Sequence, residues 1–110
     1  MAETTDAKLL RIFVGELDTH QGQPLYQWLI EEAKRQGLAG ATALRGLEGF
    51  GVHHQVHTAK LLELSVDLPI VVEIIDTEAR IDAFMPVVDD AISEGLATIE
   101  KVQARFYRSD

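Results

Sequence analysis

Three histidines fall within one short run, His53, His54 and His57, in the stretch Gly49-Phe50-Gly51-Val52-His53-His54-Gln55-Val56-His57-Thr58. Imidazoles can ligate a divalent metal. On an extended strand His53 and His57 share a face while His54 points away, whereas on a helix His53 and His57 lie one turn apart. Neither Asp nor Cys completes a ligand set nearby, so the spacing by itself does not define a metal site. Basic side chains offer a second chemistry. They gather mainly at Arg11, Lys34, Arg35, Arg45, Lys60 and the terminal Lys101, Arg105 and Arg108, and such a cluster can hold a small anion inside an otherwise acidic protein. Catalytic chemistry has little to work with. No glycine-flanked nucleophile elbow surrounds Ser65, and the pairs Glu31-Glu32 and Asp89-Asp90 sit on predicted helices, where adjacent residues do not face one another. The chain is therefore not expected to be an enzyme.

Composition narrows the partners. The chain has 110 residues, a formal net charge of -8 and no cysteine, which excludes disulfide frameworks and thiolate chemistry. Nucleic acid is not an expected partner, because phosphate neutralisation needs a basic surface. No apolar run approaches the length of a membrane span, so direct membrane insertion is not expected and the protein is predicted to be cytoplasmic.

The elements that must carry these residues form two similar halves. Leu9 to Val14 predicts a first strand, with Leu10, Ile12 and Val14 on one face. Gly15 to Pro24 reads as a polar turn. A helix follows from about Pro24 to Gln36, with Leu25, Trp28 or Leu29, Ile30 and Ala33 as its apolar stripe and Gly37 as its stop. A second strand runs from Ala41 to Arg45. A connection of about twenty residues then precedes the β-branched strand Ile70 to Ile75, and connections of that length in compact domains usually either bind something or are disordered. Asp76 or Thr77 caps a second helix, kinked or restarted at Pro86, and a last strand spans about Thr98 to Tyr107. Both helices end in one phrase, Gly37-Leu38-Ala39 and Gly95-Leu96-Ala97.

This pattern predicts an α+β, ferredoxin-like βαβ-βαβ fold: a four-stranded antiparallel sheet, two helices on one face, and a long loop between strands 2 and 3. Residues 1–8 are expected to be a flexible N-terminal segment, and 9–108 one domain. The uncovered sheet face is expected to carry Phe13, Val71 and Ile75 beside Arg11, Glu73, Lys101 and Arg105, with Glu73 between basic neighbours. A half-apolar face of this kind predicts a homo-oligomer with a ligand cleft between subunits.

Gly49-Phe50-Gly51, His57-Thr58, Leu68-Pro69 and the run Ile70 to Ile75 resemble the corresponding stretch of the PII signal-transduction proteins. A closer resemblance is to the PII-like group called domain-of-unknown-function 190. It runs from Leu9 to nearly the end of the chain, and includes Gly22-Gln23-Pro24-Leu25-Tyr26, Arg45-Gly46 and Ser65-Val66-Asp67-Leu68-Pro69. The resemblance implies a homotrimer that needs no cofactor, takes ATP, ADP or AMP at its subunit clefts, and presents the 51–68 loop to a target. By analogy that target is a membrane transporter or channel, or a metabolic enzyme. The implied ligand residues are Arg45, Gly46, Gly49, Phe50, Gly51, Lys101, Arg105 and Arg108: the glycines admit close backbone approach, and arginine matches phosphate geometry in a two-pronged way. Val52-His53 stands where PII proteins have an Arg-Gln pair, and Leu96 follows Gly95 where they have lysine. No tyrosine lies between Gly51 and Pro69, so modification of a loop tyrosine is not expected. A divalent-metal-binding or metal-tolerance protein built on His53, His54 and His57 is the alternative expectation.

Overall fold

Alternation decides the sheet. In the computed structural model, which describes residues 2–50, 57–58 (backbone only) and 67–107, the strand β1 (Thr4–Gly15) buries Leu10, Ile12 and Val14 on one side. It starts five residues earlier than Leu9. Residues 4–8, expected as part of a flexible segment, are paired: Ala7 lies opposite Thr77 on one neighbour and Val102 on the other. The polar stretch after β1 folds into a small hairpin, β2 (Thr19–His20) with β3 (Gln23–Pro24). The helix α1 (Leu25–Arg35) follows, then β4 (Gly40–Arg45), the short pair β5 (Glu48–Gly49) and β6 (His57–Thr58), and β7 (Pro69–Thr77). The helix α2 (Glu78–Ala91) and β8 (Leu96–Arg105) complete the described chain.

The main sheet has the order β4-β7-β1-β8 with every pairing antiparallel. Each half is thus a split βαβ unit, two strands with their helix and a strand from the other half between them, which is the ferredoxin-like plan. Both helices cover one face. There Leu29 of α1 and Ile81 and Phe84 of α2 close over Leu10, Ile12, Val72 and Ile74, all essentially without solvent contact. Residues of β7 alternate strictly, with Ile70, Val72, Ile74 and Asp76 buried.

The helix ends are set locally. Gly37, with φ of 78°, lets the Leu38 N–H reach the Ala33 carbonyl and the Gly37 N–H the Lys34 carbonyl, both at 3.0 Å, which satisfies the last carbonyls of α1. Thr77 is the cap of α2, its hydroxyl accepting from the Arg80 N–H at 3.4 Å. Asp76 has another task. Its buried carboxylate accepts from Ala39 N–H at 3.0 Å and Thr77 N–H at 2.7 Å, joining the turn after α1 to the start of α2. The expected interruption at Pro86 does not occur, and α2 runs unbroken from Glu78 to Ala91. Pro86 and Asp82, whose carbonyl it leaves without an intrahelical donor, both lie on the exposed side, where water can serve that carbonyl.

The uncovered face departs from expectation along β8. Leu10 is opposite Ile99 and Lys8 opposite Lys101, so Lys101 and Arg105 share the helix-side phase of the sheet. Thr98, Glu100, Val102 and Ala104 take the uncovered side instead. Phe13, Val71, Ile75, Arg11 and Glu73 are where the alternation put them. The charge order is the reverse of the expected one: Arg11 sits between two carboxylates, with Nε donating to Glu73 and Nη1 to Glu100, each at 2.9 Å. The bond to Glu73, then that to Glu100, raises the Arg11 pKa above its ordinary value.

Candidate functional site

The long connection has a built stem. At the end of β4 the Gly46 N–H donates to the Pro69 carbonyl at 2.7 Å. Just beyond, Glu48 and Gly49 pair antiparallel with Thr58 and His57. The Pro69 ring lies against both glycines. A Cβ at Gly46 would come within 2.8 Å of Pro69 Cγ, and one at Gly49 within 3.2 Å. Neither has positive φ, so contact with Pro69 accounts for glycine at both positions without a ligand. The entry and exit phrases of the loop are in this way one packing unit.

Around that stem the structure brings together Arg45, Gly46, Gly49 and Phe50, the last 63% exposed. Arg45 is engaged: its guanidinium forms an ion pair with Glu16, in the turn after β1. The backbone of that turn holds the loop's return, with Glu16 N–H donating to the Leu68 carbonyl at 2.8 Å and Leu17 N–H to Asp67 Oδ1 at 2.9 Å. Gly51, His53, His54 and Arg108 lie outside the described residues, and so does the side chain of His57. Among the described residues no group of three or more His, Asp or Glu side chains is disposed to hold a metal ion.

Lys101 and Arg105 are elsewhere. Arg45 shares a row of the sheet with Ile70 and Val14, whereas Arg105 shares one with Thr4. These rows lie at opposite ends of β1, roughly 33 Å apart at about 3.3 Å per residue, and β4 and β8 are the two outer strands. Within one chain the stem and the β8 cations cannot touch a common small ligand.

Arg105 differs from the other described arginines in its surroundings. Nε donates to the Tyr107 hydroxyl at 3.3 Å, Nη1 to Thr4 Oγ1 at 3.1 Å and Nη2 to the Ala2 carbonyl at 3.3 Å, all neutral partners. The guanidinium carbon stands 5.9 Å from the centre of the Tyr107 ring. Arg11, Arg35, Arg45 and Arg80 all have carboxylates within ion-pair distance. Lys101 is intermediate, 4.0 Å from Glu78 Oε1, on a cleft of about 380 Å³ that it lines with Asp6, Ala7, Glu78, Val102 and Gln103. Tyr107, 77% exposed, escaped the sequence reasoning. The signal was present: an aromatic side chain two residues beyond a terminal-strand arginine.

A split βαβ duplication with a long stem-based loop between β4 and β7 defines the PII-like type of ferredoxin fold, and comparison with solved structures agrees. A structure from Thermus thermophilus described as a PII-like signaling protein superposes with a TM-score of 0.67 at 21% identity, covering 93% of this chain and 92% of that one. CPII from Thiomonas intermedia K12, in a structure bound to ADP and bicarbonate, superposes with a TM-score of 0.60 at 19% identity, covering 93% and 91%. The sequence profile of the family described as Uncharacterized ACR, COG1993 (DUF190) matches residues 7–104, and the chain belongs to that family. A UPF0166 protein of Aquifex aeolicus (strain VF5) is 43% identical over 99 residues, which are 90% of this chain and 93% of the relative. Among the described residues no helix is long and apolar enough to cross a membrane.

Proposed function

We propose that this protein is a PII-like regulatory protein: a homotrimer that binds an adenine nucleotide or a similar small anion in clefts between subunits and uses the 51–68 loop to contact a target protein. The observation that carries this reading is the separation of the anion-binding candidates. Arg45, Gly46, Gly49 and Phe50 lie at one end and edge of the sheet, and Arg105 with Tyr107 at the other. A small ligand can meet both groups only where two copies of the chain adjoin. The uncovered face supplies a reason for copies to adjoin, since Phe13, Leu44 and Leu96 are 37%, 50% and 58% exposed on it. The ADP in CPII adds chemical class to the reading, as that protein shares the fold.

In this reading Arg105 contacts phosphate, because its partners among the described residues are neutral and a guanidinium offers two parallel donors. Arg108, Lys101 and Gly51 belong to the same proposed site, and the target remains in the class of a membrane transporter or channel, or a metabolic enzyme. Calorimetric titration of the protein with ATP, ADP, AMP and cyclic AMP tests it, beside light scattering for the trimer. Saturable nucleotide binding that weakens about tenfold or more in Arg105→Glu is expected, the loss of a charge-assisted contact being worth about 1.5–3 kcal/mol. Titrations without heat, confirmed by equilibrium dialysis, would end the nucleotide reading, and unchanged affinity in Arg105→Glu would remove Arg105 from the site.

A further inference from the structure

Glu16 occupies the position at Arg45 that the proposed ligand anion would need. Its carboxylate pairs with the guanidinium, and its own N–H holds the Leu68 carbonyl at 2.8 Å. The next residue repeats the arrangement, Leu17 N–H donating to Asp67 Oδ1 at 2.9 Å. The turn that presents them is closed by Gly15 N–H donating to Asp18 Oδ2 at 2.9 Å. One residue therefore joins Arg45, at the departure of the long connection, to Leu68, at its return. The pair is accessible from one side, with 60% of the Arg45 side chain exposed against 20% of Glu16. An incoming oxyanion can reach the arginine without any element coming apart.

We infer that Glu16 is an internal counter-anion and latch: it holds Arg45 in the ligand-free protein, and a phosphate group that takes Arg45 displaces it and loosens the Glu16–Leu68 and Leu17–Asp67 bonds. This rests on the proposed role of Arg45 as an anion contact. The physical basis is competition for one planar donor edge, which fits a carboxylate or a phosphate in the same two-pronged way. Once the phosphate is seated, the Glu16 carboxylate stands beside a like charge and is driven from its place. The carboxylate and the N–H that holds Leu68 belong to the same residue. The displacement thus needs no longer path to reach the loop's return, and Glu16 itself is the element with two arrangements.

The test combines ADP titration with amide hydrogen exchange at Glu16 and Leu17, on the full chain and on Glu16→Gln and Arg45→Gln. In the wild type ADP should speed exchange at both amides. Glu16→Gln should bind ADP about two- to fivefold more tightly, the range expected for removing a solvent-exposed ion pair from competition. Its two amides should exchange faster without ligand and respond less to ADP. Unaltered ADP affinity in Glu16→Gln, or amides that exchange alike with and without ADP in a wild type that binds it, would overturn the latch. If the wild type binds no nucleotide, the reading of the site fails on its own, and the ligand-free comparison decides the latch. Faster exchange at both amides in Glu16→Gln and Arg45→Gln alike would uphold it, and protection equal to wild type in either would overturn it.

Discussion

The two faces of the main sheet are made from the same strands and the same alternation, yet they are completed differently. On the helix side Leu10, Ile12, Val72 and Ile74 meet α1 and α2 and lose all contact with water. On the other side Phe13, Leu44 and Leu96 remain partly in solvent around the Glu73–Arg11–Glu100 ion pairs. The first face is closed by the chain itself, and the second has the composition of a surface that another subunit completes. If the proposed trimer forms through this face, the difference gives folding stability to one face and association to the other. Two phenylalanines separate these assignments. Phe84→Ala opens a cavity under α2 and is expected to cost about 3–5 kcal/mol of unfolding free energy in denaturant titration. Phe13→Ala should cost about 1 kcal/mol or less in dilute, dissociated protein but shift the proposed trimer toward monomer in concentration-dependent light scattering. Equal losses in the dilute titration, or an unaltered assembly in Phe13→Ala, would break the division.

A smaller effect is expected at the seam where the sheet meets the long connection. In Gly46→Ala the new methyl would stand 2.8 Å from Pro69 Cγ, closer than packing allows, and overpacking of this kind costs about 1–3 kcal/mol. Pro69→Ala removes the ring atom concerned. The double variant should therefore recover much of what Gly46→Ala loses, which denaturant titration of the four proteins in a double-mutant cycle measures. Additive losses would show that the two positions are not one packing unit.

How much of this was legible in the sequence depended on whether an element has one buried side. The phase of β1 was readable from Leu10, Ile12 and Val14, and the stop of α1 from Gly37, because burial on one face and a left-handed terminus both restrict residue type. The edge strand β8 lacks that restriction. Lys101 and Arg105 were expected on the uncovered side, but pairing of Ile99 with Leu10 sets the opposite phase and puts both on the helix side. The polar stretch before α1 concealed the β2–β3 hairpin in the same way. Partners distant in the chain were beyond reach. Nothing in the spacing joins Arg45 to Glu16, or Arg11 to Glu73 and Glu100, since those meetings come from strand order. Gly46 and Gly49 carry a ligand role only through the resemblance, and the structure adds a packing contact of both with Pro69 that spacing could not show.

The smallest expected effect concerns a charge on the closed side. Glu32 is buried on α1 at 7% exposure, where a carboxylate is costly unless it is paired. Arg35 bonds it through Nε at 3.0 Å, Gln36 adds a bond at 2.9 Å, and these two, with Arg35 first, hold its pKa below the ordinary 4.5 against the opposing effect of burial. A carboxyl depressed in the folded state binds its proton more tightly when unfolded. Its contribution is therefore complete above 4.5 and disappears as pH falls through the lowered folded value. Glu32→Gln should accordingly cost about 1 kcal/mol at pH 7, the scale of one net hydrogen bond, since Arg35 is 75% exposed and water screens the charge. The gap between wild type and variant in urea titrations should close as the buffer is taken toward pH 2, where a protonated Glu32 differs little from glutamine. A gap that stays constant across that range would mean that shape, and not the Arg35 charge, is what keeps Glu32 on the buried side of α1.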